Sequence, residues 1–580
     1  MLRKVVLRDA AAGQWLLFHE PEEVLVAHDI ADVLPVLSRA ERRVTRERRY
    51  AAGFLSYEAA PAFDAALVTR TGGALPLAVL GIFRQPERYE RLPTESVARR
   101  PLPEWQFTGS RELYLSNLRR IKREIESGNT YQVNHTVRQE AGGVEDPWSL
   151  FLATSTDAPF AAFIDLANFS ILSASPELFF ELEGRRLSCR PMKGTAARGM
   201  TTDEDRERKR MLEASIKDRA ENVMIADMVR NDMGRVAEPG SVEAAALYEI
   251  EKYRTVWQMT STVTASTDAS VLDIFAALFP SASVTGAPKV ASMKLIAELE
   301  DSPREVYTGA IGYLAPDRQA RFSVAIRTAV VDKETSTGRY GVGGGIVWDS
   351  NPEEEYEECL NKAKVLASAV PDQDFKLLET MRWDRNEGYA LLDEHMERLE
   401  ASAEYFDFAL ERAALERQLE TLAAGFAPGQ SVRVRLLVAK DGELQVETRP
   451  LPAEDKPVRW RLALATFPVE TRDIFLYHKT TQREVYDKAL AAIGDCDDVV
   501  LWNRTGHVTE TSMGNLVVRL EGQLWTPPVS CGLLAGTYRR KLLRESVIAE
   551  RPITLKEVGS AEDIFVINSV RGWIPCTLRR

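Results

Sequence analysis

Between Pro371 and Asp374 one sequence pattern stops and another begins. Upstream, "YEECLNKAKVLASAV" reads as a helix; Pro371-Asp372 breaks it, and "FKLLETMRW" opens a new run. Proline removes an amide donor and pushes the residue before it out of the helical region, so a domain boundary is predicted here. A single hydrophobic core stops growing long before 580 residues, so a chain of this length needs more than one. The break predicts one domain over 1–370 and a second over 374–580.

Hydrophobic residues make up 45% and charged residues 28% of the chain, a globular balance that excludes a disordered one. The net charge of -12 argues against a nucleic-acid partner. The arginine-rich "RRVTRERR" (42–49) contains an acid and reads as a helix face. No apolar run reaches transmembrane length, and Arg8-Asp9 interrupts any signal-peptide core, so no membrane partner and a cytoplasmic location are expected. The five cysteines are scattered without a CxxC pair, which fits a reducing compartment rather than a disulfide frame or a zinc site.

The first hundred residues mix short apolar runs with turn residues, as strands do. "RELYLSNLRRIKREIE" (111–126) has near-helical spacing and should end at Gly128. Residues 212–236 read as one long helix closed by Gly234, with Asp218 and Glu221 on one face. Glu355 and Glu358 repeat that spacing further on. Four carboxylates on two helices can hold a hard divalent cation, partly through water, or can simply be solvated acidic faces. "RPMKGT" (190–195) raises a similar choice. Lys193, after a proline-led turn, is either a solvated loop residue or a shielded amine able to attack carbon. Gly194 permits close backbone approach, and Thr195 adds a hydroxyl.

The motifs "GNTYQVN" (128–134), "SPELFF" (175–180), "PMKGTAARG" (191–199) and "KDRAENVMIADMVRND" (217–232) are followed by "SVTGAPK" (283–289), "YTGAIGY" (307–313), "AIRT" (325–328) and "GVGGGIVWDSNPEEEYEE" (341–358). In this order they resemble the chorismate-binding enzymes, which include anthranilate, isochorismate and aminodeoxychorismate synthases. The resemblance implies that Glu221 and Glu358 ligate Mg²⁺, with Asp218 and Glu355 holding its waters. It implies that Tyr307 and Arg327 bind the enolpyruvyl carboxylate of chorismate, and that Gly194, Thr195, Gly343 and Gly345 crowd the ligand. Anthranilate synthases resemble "PIAGT" at the Lys193 position, and isochorismate-forming members carry lysine where Gln132 stands. The combination of Gln132 with Lys193 resembles aminodeoxychorismate synthase component I, in which Lys193 would attack C2 of chorismate and ammonia would then enter at C4. Gln258 stands where the family commonly has histidine and cannot shuttle a proton. Lys289, closing "TGAPK", has no role assigned. No cysteine sits in a Gly-x-Cys-x-Gly elbow, so the resemblance implies a separate glutamine amidotransferase subunit as the ammonia source.

The second domain carries "LLDEHMERLEASAEYFDF", an amphipathic helix with His395 and Arg398. It continues with "FLYHKTTQREVYDKAL", "DDVVLWNRTGHVTETSMGNLVV", "GLLAGTYRRKLL" and "DIFVINSVRGWIPC". These resemble the fold-type IV pyridoxal-phosphate enzymes, which include aminotransferases and aminodeoxychorismate lyase. The resemblance implies that Lys479 holds the pyridoxal 5'-phosphate aldehyde and Glu510 faces the pyridine nitrogen. It gives Arg398, Gly536, Thr537 and Ser569 the phosphate and places Asn515 and Arg571 near the site. Sites of this type often borrow residues across a dimer, so a homodimer through this domain is compatible with the resemblance, while the sequence leaves oligomeric state open. "AGTYR" departs from the frequent "PGITR". The fold class implied is α+β: two β-sheets flanked by helices, then a two-subdomain α/β domain. The joint reading is 4-aminobenzoate synthesis for folate, by amination of chorismate and then pyruvate elimination. The rivals are a second domain that is an amino-acid aminotransferase, or one that is an inactive scaffold.

Overall fold

The computed structural model describes residues 2–92, 102–155, 158–363, 375–427, 429–451 and 459–579; the expected boundary at 371–374 lies outside the described residues. Packing separates two compact units: Met1–Ala197 with Lys209–Asp372, and Gln373–Arg580 with the segment Arg198–Arg208. That segment falls in the first domain by chain order, yet it packs as part of the second unit. Within that unit Tyr405 Oη donates to Gly199 O (2.9 Å) and Thr202 Oγ1 donates to Ala401 O (2.7 Å). The Arg198 guanidinium lies 4.2 Å from the Tyr405 ring centroid. Chain order cannot express this, because it carries no record of long-range contacts.

The first unit is built on two antiparallel sheets, each of ten strands among the described residues. Phe18, Phe54, Phe83 and Ile311 fill the layer between them. Helices Arg111–Glu126, Lys289–Leu299 and Pro352–Ala363 cover one outer face, around Leu118, Ile121 and Tyr340. Helices Ile30–Glu47, Ile216–Gly234 and Val271–Leu278 cover the other, around Phe180, Phe275 and Phe322. These three phenylalanines are fully buried, and each burial contributes about 1.5–3 kcal/mol. Both faces of each sheet are covered, which is why so many strands are apolar on both sides.

The helix expected at 111–126 forms as Arg111–Glu126; its N-cap Ser110 accepts from the Leu113 N–H, and Gly128 follows at φ +75°. The arginine-rich stretch at 42–49 closes the helix Ile30–Glu47, with Arg48 left-handed after it. The long helix expected over 212–236 is broken. Thr202–Ala214 is a separate helix, and Ile216–Gly234 starts anew where the Ser215 hydroxyl accepts from the Asp218 N–H. A serine side chain competes with the helical hydrogen bonds around it, so it caps where periodicity alone reads through. Gly234 is the last helical residue rather than a left-handed cap. The proline-led turn is also shorter than expected, since Met192–Ala197 is a strand at the edge of the second sheet. Its pairing with Val256–Ser266 slips between Met192 and Thr195, so Lys193 and Gly194 sit at an irregularity that re-aims side chains.

The second unit has a four-stranded antiparallel sheet containing Leu377–Asp384, with helices Leu392–Phe406 and Arg412–Ala424 sharing its core. Its other sheet has eight strands among the described residues and is mixed: Trp460–Leu464 runs parallel to both Asp498–Trp502 and Gly572–Leu578. The two sheets are the two subdomains of the expected α/β fold.

Candidate active sites

In the first unit, strand Gln132–Ala141 pairs with Thr337–Ile346, setting Gly345 opposite Asn134. A methyl group on Gly345 would lie 2.7 Å from Lys193 Nζ and 2.8 Å from Gln132 Nε2, so these three residues converge. Gln132 is completely buried, and neither of its amide atoms has a partner among the described residues. A buried amide without partners costs free energy, which a bound polar ligand offsets. Burial lowers the Lys193 pKa first of all, and Lys362 adds to the effect; Glu221, Glu177 and Glu358 oppose it. This lysine is no solvated loop residue. The Asn222 amide donates to Lys193 O (3.2 Å) and Met259 O (3.3 Å), fixing the backbone beneath the amine.

Glu177, in "SPELFF", is 3% exposed and accepts from Ser283 Oγ at 2.5 Å. Burial pushes its carboxyl up to about 7, against the pull of Lys193. Gly194 adopts φ +92°, and a Cβ there would sit 3.0 Å from Asp218 Cβ. Thr195 Oγ1 donates to Gln258 Oε1 (2.8 Å), and Gln258 Nε2 donates back to Gly194 O (2.8 Å). Gln258 therefore braces the Gly194–Thr195 backbone. Gly343 is needed for strand packing, since a Cβ there would strike His135 O at 2.3 Å. Lys289 pairs with Asp232 (3.0 Å) and donates to Leu278 O, a brace at the start of its helix.

Among the described residues no three His, Cys, Asp or Glu side chains gather closely enough to hold a metal ion. Glu358 instead pairs with Lys362 (2.6 Å), whose charge lowers its pKa, and Lys362 also donates to Gly343 O (3.0 Å). Glu221 is raised by burial and then by the charges of Asp218 and Glu358. Glu355 is raised by burial and by Glu358, while Ser350 donates to it at 2.7 Å. This donor set is all oxygen and its members repel one another, a penalty that a cation relieves. Magnesium needs only one or two protein carboxylates beside waters and substrate oxygens, so the set fits it.

Tyr307 is buried beneath Gly341, where a Cβ would meet its ring at 2.3 Å, and burial raises its pKa. Arg327 takes a left-handed backbone (φ +50°), and no carboxylate pairs with it among the described residues. Burial lowers its pKa, against Tyr340 and Tyr253. Tyr253 senses both Arg327 and Glu177, which places all three in one electrostatic neighbourhood.

In the second unit Lys479 O accepts from Leu378 N (2.9 Å), pinning the lysine beside strand Leu377–Asp384. Burial, then Arg398 and Arg483, brings its pKa down to about 8. Glu510 lies in strand Val508–Thr511 and accepts from Tyr486 Oη (2.7 Å), Leu534 N (3.2 Å) and Asn515 Nδ2 (3.3 Å). Burial pushes it up to about 7. Arg398 directs Nε and Nη2 to Glu379 and Nη1 to Ala535 O. Helix Thr537–Arg544 starts at Gly536 without a side-chain cap, so its first N–H groups are open to an anion. A Cβ on Gly536 would collide with Asn515 Oδ1 at 2.0 Å. Ser569 Oγ donates to Thr380 O (3.2 Å), whereas Arg571 is exposed and lies over the Trp460 ring. A low-pKa lysine, a buried proton-sharing carboxyl, and an open helix start beside a buried arginine fit pyridoxal phosphate.

Sequence reasoning assigned no role to Glu177, Lys362, Asn222, Glu379 or Tyr486. Lys362 carried a signal, four residues after Glu358 on one helix face; Glu177 carried another, an acid entering a run of buried apolar residues.

The sequence profile described as chorismate binding enzyme matches residues 3–368, and that of amino-transferase class IV matches 376–578. An aminodeoxychorismate synthase of Streptomyces griseus is 42% identical over 275 residues, which is 46% of this chain and 38% of that protein. Aminodeoxychorismate synthase component 1 of Salmonella typhimurium is 42% identical over 263 residues, 44% of this chain and 57% of that protein. The chain thus spans between about a third and three fifths of the length of these relatives. The crystal structure of anthranilate synthase component I from Streptococcus pneumoniae superposes with a TM-score of 0.54 at 23% identity, covering 61% of this chain and 92% of that one, a likeness of fold. With the first profile spanning more than half of its 580 residues, the chain belongs to the chorismate binding enzyme family and carries an amino-transferase class IV domain behind it.

Proposed function

We propose that this chain makes 4-aminobenzoate from chorismate, by amination at C4 in the first unit and elimination of pyruvate in the second. The observation that carries the reading is the meeting of Lys193, Gln132 and Gly345: an amine with a lowered pKa facing a buried amide without partners. Lys193 Nζ attacks C2 of chorismate, both ring double bonds shift by one position (C1=C2 to C1=C6 and C5=C6 to C4=C5), and the C4–O bond breaks. Glu177, protonated up to about pH 7, gives its proton to the departing oxygen, which leaves as water. Ammonia then attacks C4, both double bonds shift back, and the C2–N bond breaks to release the Lys193 amine. Glu177 takes up the surplus proton, so chorismate and ammonia become 4-amino-4-deoxychorismate and water. Tyr307 and the forked Arg327 hold the enolpyruvyl carboxylate. Glu221 and Glu358 would hold Mg²⁺, with Asp218 and Glu355 on its waters, and the ion would supply positive charge for the ring carboxylate.

In the second unit Lys479, with a pKa near 8, removes the C4 proton of the aminated intermediate. Pyridoxal phosphate, when bound, would supply an electron sink. Glu510 would face the pyridine nitrogen, and Arg398, Thr537 and the Gly536 backbone would hold the phosphate. The C3–O bond breaks, enolpyruvate leaves and takes up one proton at its methylene carbon to become pyruvate, in balance with the C4 proton held by Lys479, and the ring becomes aromatic. Ammonia comes from a separate glutamine amidotransferase, a companion consistent with relatives named component 1.

Purified protein with chorismate, ammonium, Mg²⁺ and pyridoxal phosphate should release 4-aminobenzoate and pyruvate, and Lys193→Ala should release neither. Anthranilate as product would overturn the first step. If aminodeoxychorismate releases no pyruvate in the absence of a keto-acid acceptor while the protein aminates an added keto acid from an amino-acid donor, the second unit is an aminotransferase.

A further inference from the structure

We infer that Glu379 is the positioning residue of the phosphate cradle in the second unit, acting through Arg398 on one side and His395 and Thr537 on the other. The inference rests on the reading that this unit binds pyridoxal phosphate. Glu379 lies on strand Leu377–Asp384 and is 1% exposed. It accepts from Arg398 Nε (2.8 Å) and Nη2 (2.7 Å) and from His395 Nδ1 (2.6 Å). Arg398 and His395 together hold its carboxyl well below the usual range, overcoming burial, so it remains an anion.

A two-point bond between a guanidinium and a carboxylate fixes the plane and direction of the arginine fork. Here it leaves Nη1 as the free edge, turned toward the Ala535–Thr537 turn, where it reaches Ala535 O at 3.4 Å. His395, fully buried, is fixed in the same way. With Nδ1–H donating to Glu379, its Nε2 faces Thr537 Oγ1 at 3.4 Å. Thr537 is 2% exposed and begins the helix whose first N–H groups lack a side-chain cap. One carboxylate therefore sets both the cation and the hydroxyl beside an open helix start. Neither Arg398 nor His395 is oriented by another carboxylate among the described residues.

Positioning can be separated from charge. Glu379→Asp keeps the anion but withdraws it by one methylene, about 1.5 Å; Glu379→Gln keeps the length but removes the charge. Binding of pyridoxal phosphate and of pyridoxal, which lacks the phosphate, is titrated against each purified full-length variant by tryptophan fluorescence. The expected result is that Glu379→Asp and Glu379→Gln each reduce the preference for the phosphorylated form about tenfold or more, the worth of one charge-assisted hydrogen bond. Thr537→Val, which introduces no buried charge, should reduce that preference in the same direction even if the Glu379 variants fail to fold. The inference is overturned if both ligands weaken alike, if Glu379→Asp matches the wild type, or if removing the charge raises the preference. Wild-type protein that binds neither ligand would instead overturn the cofactor reading itself, and the inference with it.

Discussion

Replacing Glu177 by glutamine should separate stability from activity in the first unit. The carboxyl is almost fully buried and burial pushes it from 4.5 up to about 7. At about 1.4 kcal/mol per pKa unit, that rise corresponds to about 3 kcal/mol favouring the protonated form. The folded state holds this proton more tightly than the unfolded state does. The full benefit is therefore present below pH 4.5, and stability falls as pH rises from 4.5 to about 7. Glutamine keeps the shape, still accepts from Ser283 Oγ, and never ionises. Glu177→Gln should thus melt with the wild type at pH 5 and on the order of a few degrees higher at pH 8. Its amination rate should fall about 10²–10⁴-fold, or about 3–5 kcal/mol of barrier, because no proton reaches the departing oxygen. Thermal melts at pH 5, 6, 7 and 8, paired with initial rates of water-forming amination, test both arms. A variant destabilised equally at every pH, or one with undiminished rate, refutes the assignment of a protonated buried acid.

Gly345→Ala should leave the fold intact and cost about 10²-fold in amination rate, since the added methyl displaces the ends of Lys193 and Gln132 rather than any backbone; a rate within twofold of wild type would contradict the convergence. Chelation by EDTA should stop chorismate amination but leave pyruvate release from added aminodeoxychorismate untouched; loss of both would place the cation elsewhere. Lys479→Ala should remove the yellow chromophore of protein purified with pyridoxal phosphate while amination of chorismate continues, and a persisting yellow band would move the cofactor lysine to another position. Mass spectrometry of the intact chain with chorismate and no ammonia should find an adduct that Lys193→Ala lacks.

Much of both sites is legible in the sequence because short motifs fix residue types at fixed separations. Lys193, Gln132, Lys479 and Glu510 become candidates through the resemblance of their surrounding motifs to two known families. The neighbours of Lys193 alone leave it open between a solvated residue and a shielded amine. Periodicity also located helices such as Arg111–Glu126 to the residue. What periodicity misread was a place where a side chain competes with the backbone: Ser215 caps a new helix inside an apparently continuous pattern. Residues without a role at that level, Glu177, Lys362 and Glu379, share one property. Their chemistry comes from burial or from a partner on another element: Ser283 for Glu177, Gly343 for Lys362, Arg398 and His395 for Glu379.

The sequence by itself determined the motifs of two families, one behind the other, and the candidate reactive groups, because residue type and spacing are properties of the chain. Only the tertiary structure decided their protonation. Whether Lys193 is an ammonium in water or an amine with a lowered pKa depends on what desolvates it, and that comes from strands and helices well over a hundred residues apart. It also decided that Arg198–Arg208 packs with the second unit. Electrostatic free energy follows distance in space and exclusion of water, and neither quantity is written along the chain.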